Sequence, residues 1–244
     1  MLIQYQSRRK LTLSGANYQT MSKYKINEIF ETIQGEGQYT GTASIFVRLQ
    51  GCPVGCSWCD TKQTWDQLES DKQPLSTIIM KTSDDPTWCD VDESTILNTF
   101  VEQGYRAKHV VITGGEPCMF DLNPLCELLH SKGYSTQIET SGTFEIQAPE
   151  QTWVTVSPKI NMKGGYKVLA SCMQRANEIK HPIARQVHVD ELEQLLLEAP
   201  VKNNTLIYLQ PISQKVSATE LAIETCKEKN WRLSVQVHKY IGIS

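Results

Sequence analysis

Runs of apolar residues alternate with stretches of helical periodicity along most of the chain. The predicted strands are residues 26–33, 45–50, 109–113, 136–140, 153–157, 177–180, 206–210 and 231–239. Helical spacing appears at residues 93–104, 122–129, 189–198 and 217–230, and Ser217 with Glu220 form a predicted capping box. This alternation predicts an α/β fold whose strands are mainly parallel. In such sheets, functional residues gather at the carboxyl ends of the strands, and every candidate motif described below is expected to lie at such an end.

Two polar segments depart from this pattern. Residues 1–22 include three basic residues and lack apolar periodicity, which favours a disordered extension, although a transit peptide shares some of these traits. Residues 62–92 are also polar and are expected to form an insertion with one short helix. We therefore expect a single domain over residues 23–244.

The composition excludes several classes of protein. The 244 residues carry a net charge of −3, so no overall basic surface for nucleic acid is expected. No apolar run approaches the length needed to cross a membrane. Eight cysteines without a signal peptide favour a reducing compartment and a cytoplasmic location. Five of them are expected to be core thiols: Cys89, Cys118, Cys126, Cys172 and Cys226.

The other three cysteines form a cluster directly after a predicted buried strand. Cys52, Cys56 and Cys59 lie within eight residues, in the spacing C-x-x-x-C-x-x-C. A cubane iron–sulfur cluster normally takes four thiolates, so three would leave one iron open to a ligand. The alternatives are a zinc site or three unrelated buried thiols. Zinc would need a fourth ligand at short spacing, and the nearest histidine is His109.

A second motif favours the iron–sulfur interpretation. Gly114-Gly115-Glu116-Pro117 follows the predicted strand 109–113, and together with the cysteine loop it resembles the radical S-adenosylmethionine superfamily. In that superfamily the open iron binds the methionyl end of S-adenosylmethionine, and reductive cleavage releases a deoxyadenosyl radical. The resemblance implies that the two glycines let the backbone approach the amino group of S-adenosylmethionine. It also implies that Glu116 supplies a compensating charge.

From residue 24 to the end, the chain resembles the 7-carboxy-7-deazaguanine synthase family. The resemblance implies an incomplete TIM-like barrel and a lyase of queuosine biosynthesis, a tRNA modification pathway. Its substrate would be 6-carboxy-5,6,7,8-tetrahydropterin, which loses ammonia, and its cofactors a 4Fe-4S cluster, S-adenosylmethionine and Mg²⁺. A homodimer and a flavodoxin-type reductant are also implied. The matching segments are residues 33–37, Arg48, 58–61, 113–117, 139–142, 157–159, 210–213 and 238–239.

The resemblance also assigns roles, none of them as a general acid or base, because the radical comes from the cofactor. The expected cluster ligands are Cys52, Cys56 and Cys59, and Thr61 is the expected magnesium ligand. The expected S-adenosylmethionine site is Trp58, Asp60, Gly115, Glu116, Ser157, Pro158, Lys159, Gln210, Pro211, Ile212 and Ser213. The expected substrate site is Ile33, Gln34, Gly35, Arg48, Thr113, His238 and Ser244.

Less specific interpretations remain for single residues and for the whole chain. Arg48 could form a salt bridge at the sheet edge, Thr61 could be a turn hydroxyl, and residues 241–244 could lie on the surface. The chain could also be an activase that acts on a partner protein, or a non-enzymatic iron–sulfur protein. Turnover of the small pterin would separate these from the main hypothesis.

Overall fold

Nine strands and seven α-helices lie within residues 23–242, the part of the chain that the computed structural model describes. The expectations for residues 1–22 and for Ser244 lie outside these residues. The strands are β1 Tyr24–Ile33, β2 Ala43–Leu49, β3 Cys89–Val91, β4 His109–Gly114, β5 Ser135–Thr140, β6 Trp153–Val156, β7 Glu178–Ile183, β8 Leu206–Pro211 and β9 Arg232–Leu233. The helices are α1 Leu75–Ile79, α2 Glu93–Glu102, α3 Asn123–Ser131, α4 Ala170–Arg175, α5 Gln186–Glu198, α6 Val216–Lys229 and α7 Val237–Ile241.

All the strands belong to one sheet in the order β3-β1-β2-β4-β5-β6-β7-β8-β9. Every neighbouring pair from β2 to β9 is parallel. Helices lie in most of the connections between these strands, as parallel crossovers require. The prediction of an α/β fold with mainly parallel strands is confirmed.

The first strand runs in the opposite direction. β1 pairs antiparallel with both β2 and β3. Residues 34–42, which join β1 to β2, form a connection too short for a parallel crossover. Ile33, the last residue of β1, lies opposite Ala43, the first residue of β2. The expectation that the candidate residues share the carboxyl edge of the strands is therefore wrong for Ile33.

Two predicted elements near the end of the chain are also wrong. The strand predicted over residues 231–239 is a two-residue strand, β9, followed by the short helix α7. Its chain leaves the sheet because the Val237 amide donates to the carbonyl of Gly35, 3.0 Å away. The capping box is not formed either: Lys215 is the N-cap of α6, and Ser217 lies within the helix.

The apolar side chains form two buried clusters, one on each half of the sheet. The first packs β1, β2, β4 and β5 against α2 and α3, and the second packs β6 to β8 against α4, α5 and α6. The five cysteines predicted as core thiols are buried and free. No helix within residues 23–242 is long and apolar enough to cross a bilayer.

The polar segment 62–92 packs closely on the sheet. Besides α1 it contains the edge strand β3 and two 3₁₀ turns, Lys62–Thr64 and Glu69–Asp71. Trp88 is fully buried there, and its indole nitrogen donates to the carbonyl of Leu68 at 3.0 Å. The first of the two turns lies against the cysteine loop and helps to fix its shape.

Candidate active site around the cysteine loop

The cysteine loop leaves the carboxyl end of β2 and folds back on residues 61–67. The Gly51 amide donates to Thr64 O at 2.7 Å, and the Cys52 amide donates to Trp65 O at 3.0 Å. Gly51 and Gly55 have φ values of +109° and +72°, which side-chain-bearing residues rarely adopt. The loop is therefore curved by its glycines and held by the segment that follows it.

The three thiols lie in surroundings that differ in burial and charge. Burial raises the pKa of Cys52 to about 12. Burial also raises the pKa of Cys56, an effect that the charge of Lys159 opposes. Because burial favours the neutral thiols here, thiolates at these positions need a positive partner such as iron.

The sulfur of Cys59 has two polar neighbours from its own loop. The indole nitrogen of Trp65 donates to it at 3.4 Å, and the Thr61 hydroxyl oxygen lies 3.6 Å away. Hydrogen bonds to a ligating sulfur tune the potential of an iron–sulfur cluster. Trp65 is a site residue that the sequence analysis did not predict. Its position six residues after Cys59, close to the cysteine loop, could have marked it as a candidate neighbour of the cluster.

The glycine-rich end of β4 packs directly on the cysteine loop. The Gly115 amide donates to Leu49 O and the Glu116 amide donates to Gly51 O, both at 2.8 Å. A Cβ atom on Gly115 would lie 2.1 Å from the carbonyl oxygen of Gly51. A glycine at position 115 is thus required by contact between two backbones within the protein.

Glu116 is buried, and its carboxylate is already held by the chain. It accepts hydrogen bonds from the Cys118 amide at 3.0 Å, the Ser141 amide at 2.8 Å and the Thr140 hydroxyl at 2.5 Å, and also from the Ser141 hydroxyl. These hydrogen bonds hold the carboxylate in place, and its expected contact with a ligand's amino group stays a prediction. Glu116 lines the cavity, but its oxygens anchor the loop after β5.

A cavity of about 240 Å³ opens over the cysteine loop. All three cysteines line it, as do most residues predicted to bind S-adenosylmethionine. These are Trp58, Asp60, Gly115, Glu116, Ser157, Lys159, Gln210, Pro211, Ile212 and Ser213. Pro158 is the one predicted member that does not line this cavity.

A second cavity of about 160 Å³ adjoins the first. Its lining includes every predicted substrate residue within 23–242, namely Ile33, Gln34, Gly35, Arg48, Thr113 and His238. The two cavities share six lining residues: Glu36, Arg48, Asp60, Thr61, Thr113 and Glu139. Residues from distant parts of the sequence therefore meet in two connected spaces.

The smaller cavity is closed on one side by α7. A Cβ atom on Gly35 would lie 2.3 Å from the imidazole Nδ1 of His238, so only glycine allows this approach. Arg48 also lines this cavity, and its Nε donates to Glu28 at 2.7 Å. The salt bridge considered from the sequence is present, and Arg48 lines both cavities as well.

Three charged residues at the junction of the cavities were not predicted as site residues. Lys180 Nζ lies 2.6 Å from a carboxylate oxygen of Glu36 and 2.6 Å from one of Glu139. Burial alone would raise the pKa of Glu36, but the Lys180 charge and hydrogen bond lower it to about 2. The two glycines that flank Glu36 were a weak signal, whereas Lys180 stands in no recognisable motif.

The donor set fits an iron–sulfur cluster better than a single metal ion. Among residues 23–242, no group of three or more His, Cys, Asp or Glu side chains is arranged to hold one ion. A cubane cluster has no such requirement, because each thiolate binds a different iron. Three cysteines on a glycine-curved loop beneath a cavity therefore suit a cluster with one open iron.

Comparisons with known proteins decide the family. No family model matches the chain. The curated 7-carboxy-7-deazaguanine synthase of Escherichia coli strain K12 is 54% identical over 222 residues, which cover 91% of this chain and 100% of that protein. The chain belongs to the 7-carboxy-7-deazaguanine synthase family.

Further relatives and a solved structure agree. The synthases of Buchnera aphidicola and Synechocystis are 48% and 35% identical, and each match covers 90% of this chain and more than nine-tenths of the relative. The crystal structure of QueE from Escherichia coli superimposes with a TM-score of 0.86 at 54% identity. That match covers 88% of this chain and 95% of the solved one, so the likeness extends over nearly the whole fold.

Proposed function

We propose that this chain converts 6-carboxy-5,6,7,8-tetrahydropterin to 7-carboxy-7-deazaguanine with loss of ammonia. It would act as a radical S-adenosylmethionine lyase of queuosine biosynthesis, as the family resemblance implies, and its relatives are named for the product, 7-carboxy-7-deazaguanine. The observation that supports this most is the junction of two cavities over the cysteine loop. The residues predicted for a cosubstrate line one cavity, and those predicted for a pterin line the other.

The cluster would be held by Cys52, Cys56 and Cys59, and S-adenosylmethionine would lie in the larger cavity. When bound, the two together supply one-electron cleavage chemistry that ends in removal of a hydrogen atom from the substrate. Trp58 is 39% exposed at this cavity and offers an aromatic face. Lys159 donates to the Ser157 hydroxyl at 2.6 Å, which places a cation beside a small polar group.

The pterin would lie in the smaller cavity. One of the five N–H donors of Arg48 is used by Glu28, and the guanidinium can present others to the substrate carboxylate. Thr61 lies where the two cavities meet, so its hydroxyl could serve a Mg²⁺ ion that also binds the substrate. This role in binding Mg²⁺ rests on the family resemblance and on that position.

The finer assignments of architecture and partners belong to the same proposal. The mainly parallel sheet would curve into an incomplete barrel around the two cavities. Two chains would form a homodimer, a flavodoxin-type protein would supply electrons, and the enzyme would work in the cytoplasm. The Ser244 carboxylate would assist His238 in substrate recognition.

Turnover under anaerobic conditions tests the proposed function. Reconstituted protein, S-adenosylmethionine, Mg²⁺ and a chemical reductant are mixed with the tetrahydropterin, and the products are identified by mass spectrometry. We expect 7-carboxy-7-deazaguanine and ammonia in equal amounts. Cleavage of S-adenosylmethionine without this product would favour an activase, and no cleavage would favour a non-enzymatic iron–sulfur protein.

Matched cysteine variants test the assignment of the cluster. Cys56→Ala should lose the cluster and all turnover, because Cys56 is one of only three expected ligands. Cys226→Ala should keep both, since Cys226 is buried in the second apolar cluster and its thiol donates a hydrogen bond to the carbonyl of Arg232. Iron and sulfide analysis measures the difference, and a full cluster in Cys56→Ala would reject the assignment.

A further inference from the structure

A buried lysine stands where the two cavities join. The side chain of Lys180 is 5% exposed, and its amine contacts Glu36 and Glu139, each at 2.6 Å. Lys180 lines the larger cavity, whereas both carboxylates line the larger and the smaller one. The three side chains therefore form a charged link between the two spaces.

Each carboxylate also holds the side chain of a predicted ligand-binding residue. Glu139 accepts from the amide of Gln34 at 3.0 Å, and Gln34 lines the smaller cavity. Glu36 accepts from the amide of Gln210 at 3.3 Å, and Gln210 lines the larger cavity. A chain of contacts thus runs from Gln34 through Glu139, Lys180 and Glu36 to Gln210.

A contribution to stability alone does not account for these three charges. Removing charges from water is costly, and a buried ion pair can often be replaced by apolar residues with little loss of stability. Here one cation faces two carboxylates, and each also accepts from side-chain amides that line the ligand cavities: Gln210 and Gln236 at Glu36, and Gln34 at Glu139. Glu139 accepts in addition from the buried Gln137 amide at 3.3 Å. A positional role explains why the charges lie in the site and not in the apolar core.

We propose that Lys180 is a positioning residue that couples the two ligand sites. It fixes Glu36 and Glu139 against each other, and through them it sets the orientation of the Gln210 and Gln34 amides. A ligand that orders one amide thereby orders the other, so each ligand raises the affinity for its neighbour. This inference rests on the proposed function, which places S-adenosylmethionine in one cavity and the pterin in the other.

Binding without turnover tests the coupling. The dissociation constant of S-adenosylmethionine is measured by anaerobic calorimetry on cluster-loaded protein, without reductant, in the presence and absence of the tetrahydropterin. In the native protein the pterin should tighten binding of S-adenosylmethionine by about fivefold or more, the usual lower range for coupled sites. In Lys180→Met this factor should fall to about one, although each ligand still binds by itself.

A second variant covers the case in which Lys180→Met fails to fold because two carboxylates are left buried without their cation. Lys180→Met combined with Glu36→Gln and Glu139→Gln removes all three charges and should fold, yet it should still lack the coupling. The matched control is Lys229→Met, which breaks a pair of the same 2.6 Å length with Glu193 that is about one-third exposed. That control should keep the native coupling factor.

The possible outcomes separate this inference from the proposed function. Equal affinities with and without the pterin in native protein would overturn the coupling, and so would an unchanged factor in both Lys180 variants. A loss of coupling in Lys229→Met as well would show that the effect is not specific to the site. Failure of native protein to form 7-carboxy-7-deazaguanine would instead reject the proposed function, because the binding assay involves no turnover.

Discussion

At the scale of single residues, the site depends on places where one backbone touches another. Gly115 is the clearest case, because it joins the end of β4 to the cysteine loop. Its backbone is not in the left-handed region, so the need for glycine comes from space alone: an added Cβ would meet Gly51 O at 2.1 Å. A methyl group here must push the cysteine loop away from the sheet.

We predict that Gly115→Ala folds but holds its cluster poorly. The clash should lower the free energy of unfolding by about 1–3 kcal/mol, the usual range for overpacking. Iron content after reconstitution and the thermal unfolding midpoint measure the two effects. The displaced loop should lose iron even at temperatures where the fold remains intact.

Gly104→Ala separates this clash from ordinary backbone strain. Gly104 has a φ of +69° at the end of α2, and a Cβ there would meet nothing within 4 Å. The control should cost about 1–2 kcal/mol through the left-handed conformation and leave iron content unchanged. Equal iron loading of the two variants would contradict a special role for Gly115.

Thr61 carries a second prediction at this scale. Thr61→Val keeps the shape of the side chain but removes the hydroxyl, which lies 3.6 Å from the Cys59 sulfur and lines both cavities. The cluster should still form, and cleavage of S-adenosylmethionine without product should persist. Half-maximal turnover should need about tenfold more Mg²⁺ or higher, which a magnesium titration measures.

The control for Thr61 is a threonine on the surface. Thr219→Val removes a hydroxyl that donates to the carbonyl of Lys215, the N-cap of α6, and that lines neither cavity. Its magnesium dependence should match that of the native protein. The same dependence in Thr61→Val would reject a metal role for Thr61.

At the scale of elements, two carboxyl groups near Lys180 of β7, those of Glu178 and Glu36, have opposite effects on the pH dependence of stability. Burial raises the pKa of Glu178 to about 7; Lys180 opposes this shift, whereas Glu139 and Glu36 add to it. A folded state that binds this proton more tightly loses stability as pH rises from about 4.5 to about 7. The pKa of Glu36 is lowered to about 2, so its ionised form stabilises the folded state, and this stabilisation is lost only as the pH falls below about 4.5. The pH ranges over which Glu178 and Glu36 change the stability therefore do not overlap.

We predict that Glu178→Gln is more stable than the native protein at pH 7.5 and gains less at pH 5. Glutamine needs no proton to be neutral. Its side-chain oxygen can still accept the hydrogen bond that the Gln38 backbone amide donates to Glu178 at 2.9 Å in the native protein. The pKa difference corresponds to at most about 3 kcal/mol. Thermal unfolding midpoints of cluster-loaded protein at both pH values measure the trend. A stability difference independent of pH would contradict the raised pKa.

The same strand shows what the sequence could and could not predict. The spacing of the three cysteines and the Gly114-Gly115 pair are local patterns that indicate a cofactor site. The cysteine loop and the end of β4 were therefore predictable from neighbouring residues alone. Lys180 meets Glu36 across 144 positions of sequence, and nothing local to either residue indicates the pair. The alternation over residues 231–239 indicated a strand, but contact with Gly35 redirects the chain into α7. Pairings between distant segments therefore account for what the sequence missed.

At the scale of the whole molecule, the site is assembled from segments near both ends of the described chain. The segment after β1 packs on the first residues of β7 and β4. The Gln38 backbone amide donates to Glu178, and the Tyr39 and His109 ring centroids lie 4.2 Å apart. The segment thereby closes the amino-terminal end of the parallel strands. The antiparallel β1, an exception in the sheet, is what delivers Gln34 and Glu36 to the cavities from that side.

The other end of the described chain closes the smaller cavity. α7 places His238 against Gly35, and Lys239 donates to Gln236, whose amide in turn donates to Glu36 at 2.8 Å. Helix α7 is therefore tied to both the substrate wall and the Lys180 link. Anything that pulls α7 outward should disturb substrate binding before it disturbs the cysteine loop.

We predict that extra residues after Ser244 weaken substrate binding strongly. The sequence hypothesis assigns the terminal carboxylate to pterin recognition, and an extension removes that carboxylate from Ser244. Since hydrogen bonds to a charged group contribute about 1.5–3 kcal/mol, the Michaelis constant for the pterin should rise about tenfold or more. Cluster content should stay normal, because backbone hydrogen bonds hold the cysteine loop to Thr64, Trp65 and Glu116, none of which lies in α7. An extension of equal length before Met1 is the matched control, and equal kinetics for the two proteins would show that the end of the chain plays no part in recognition.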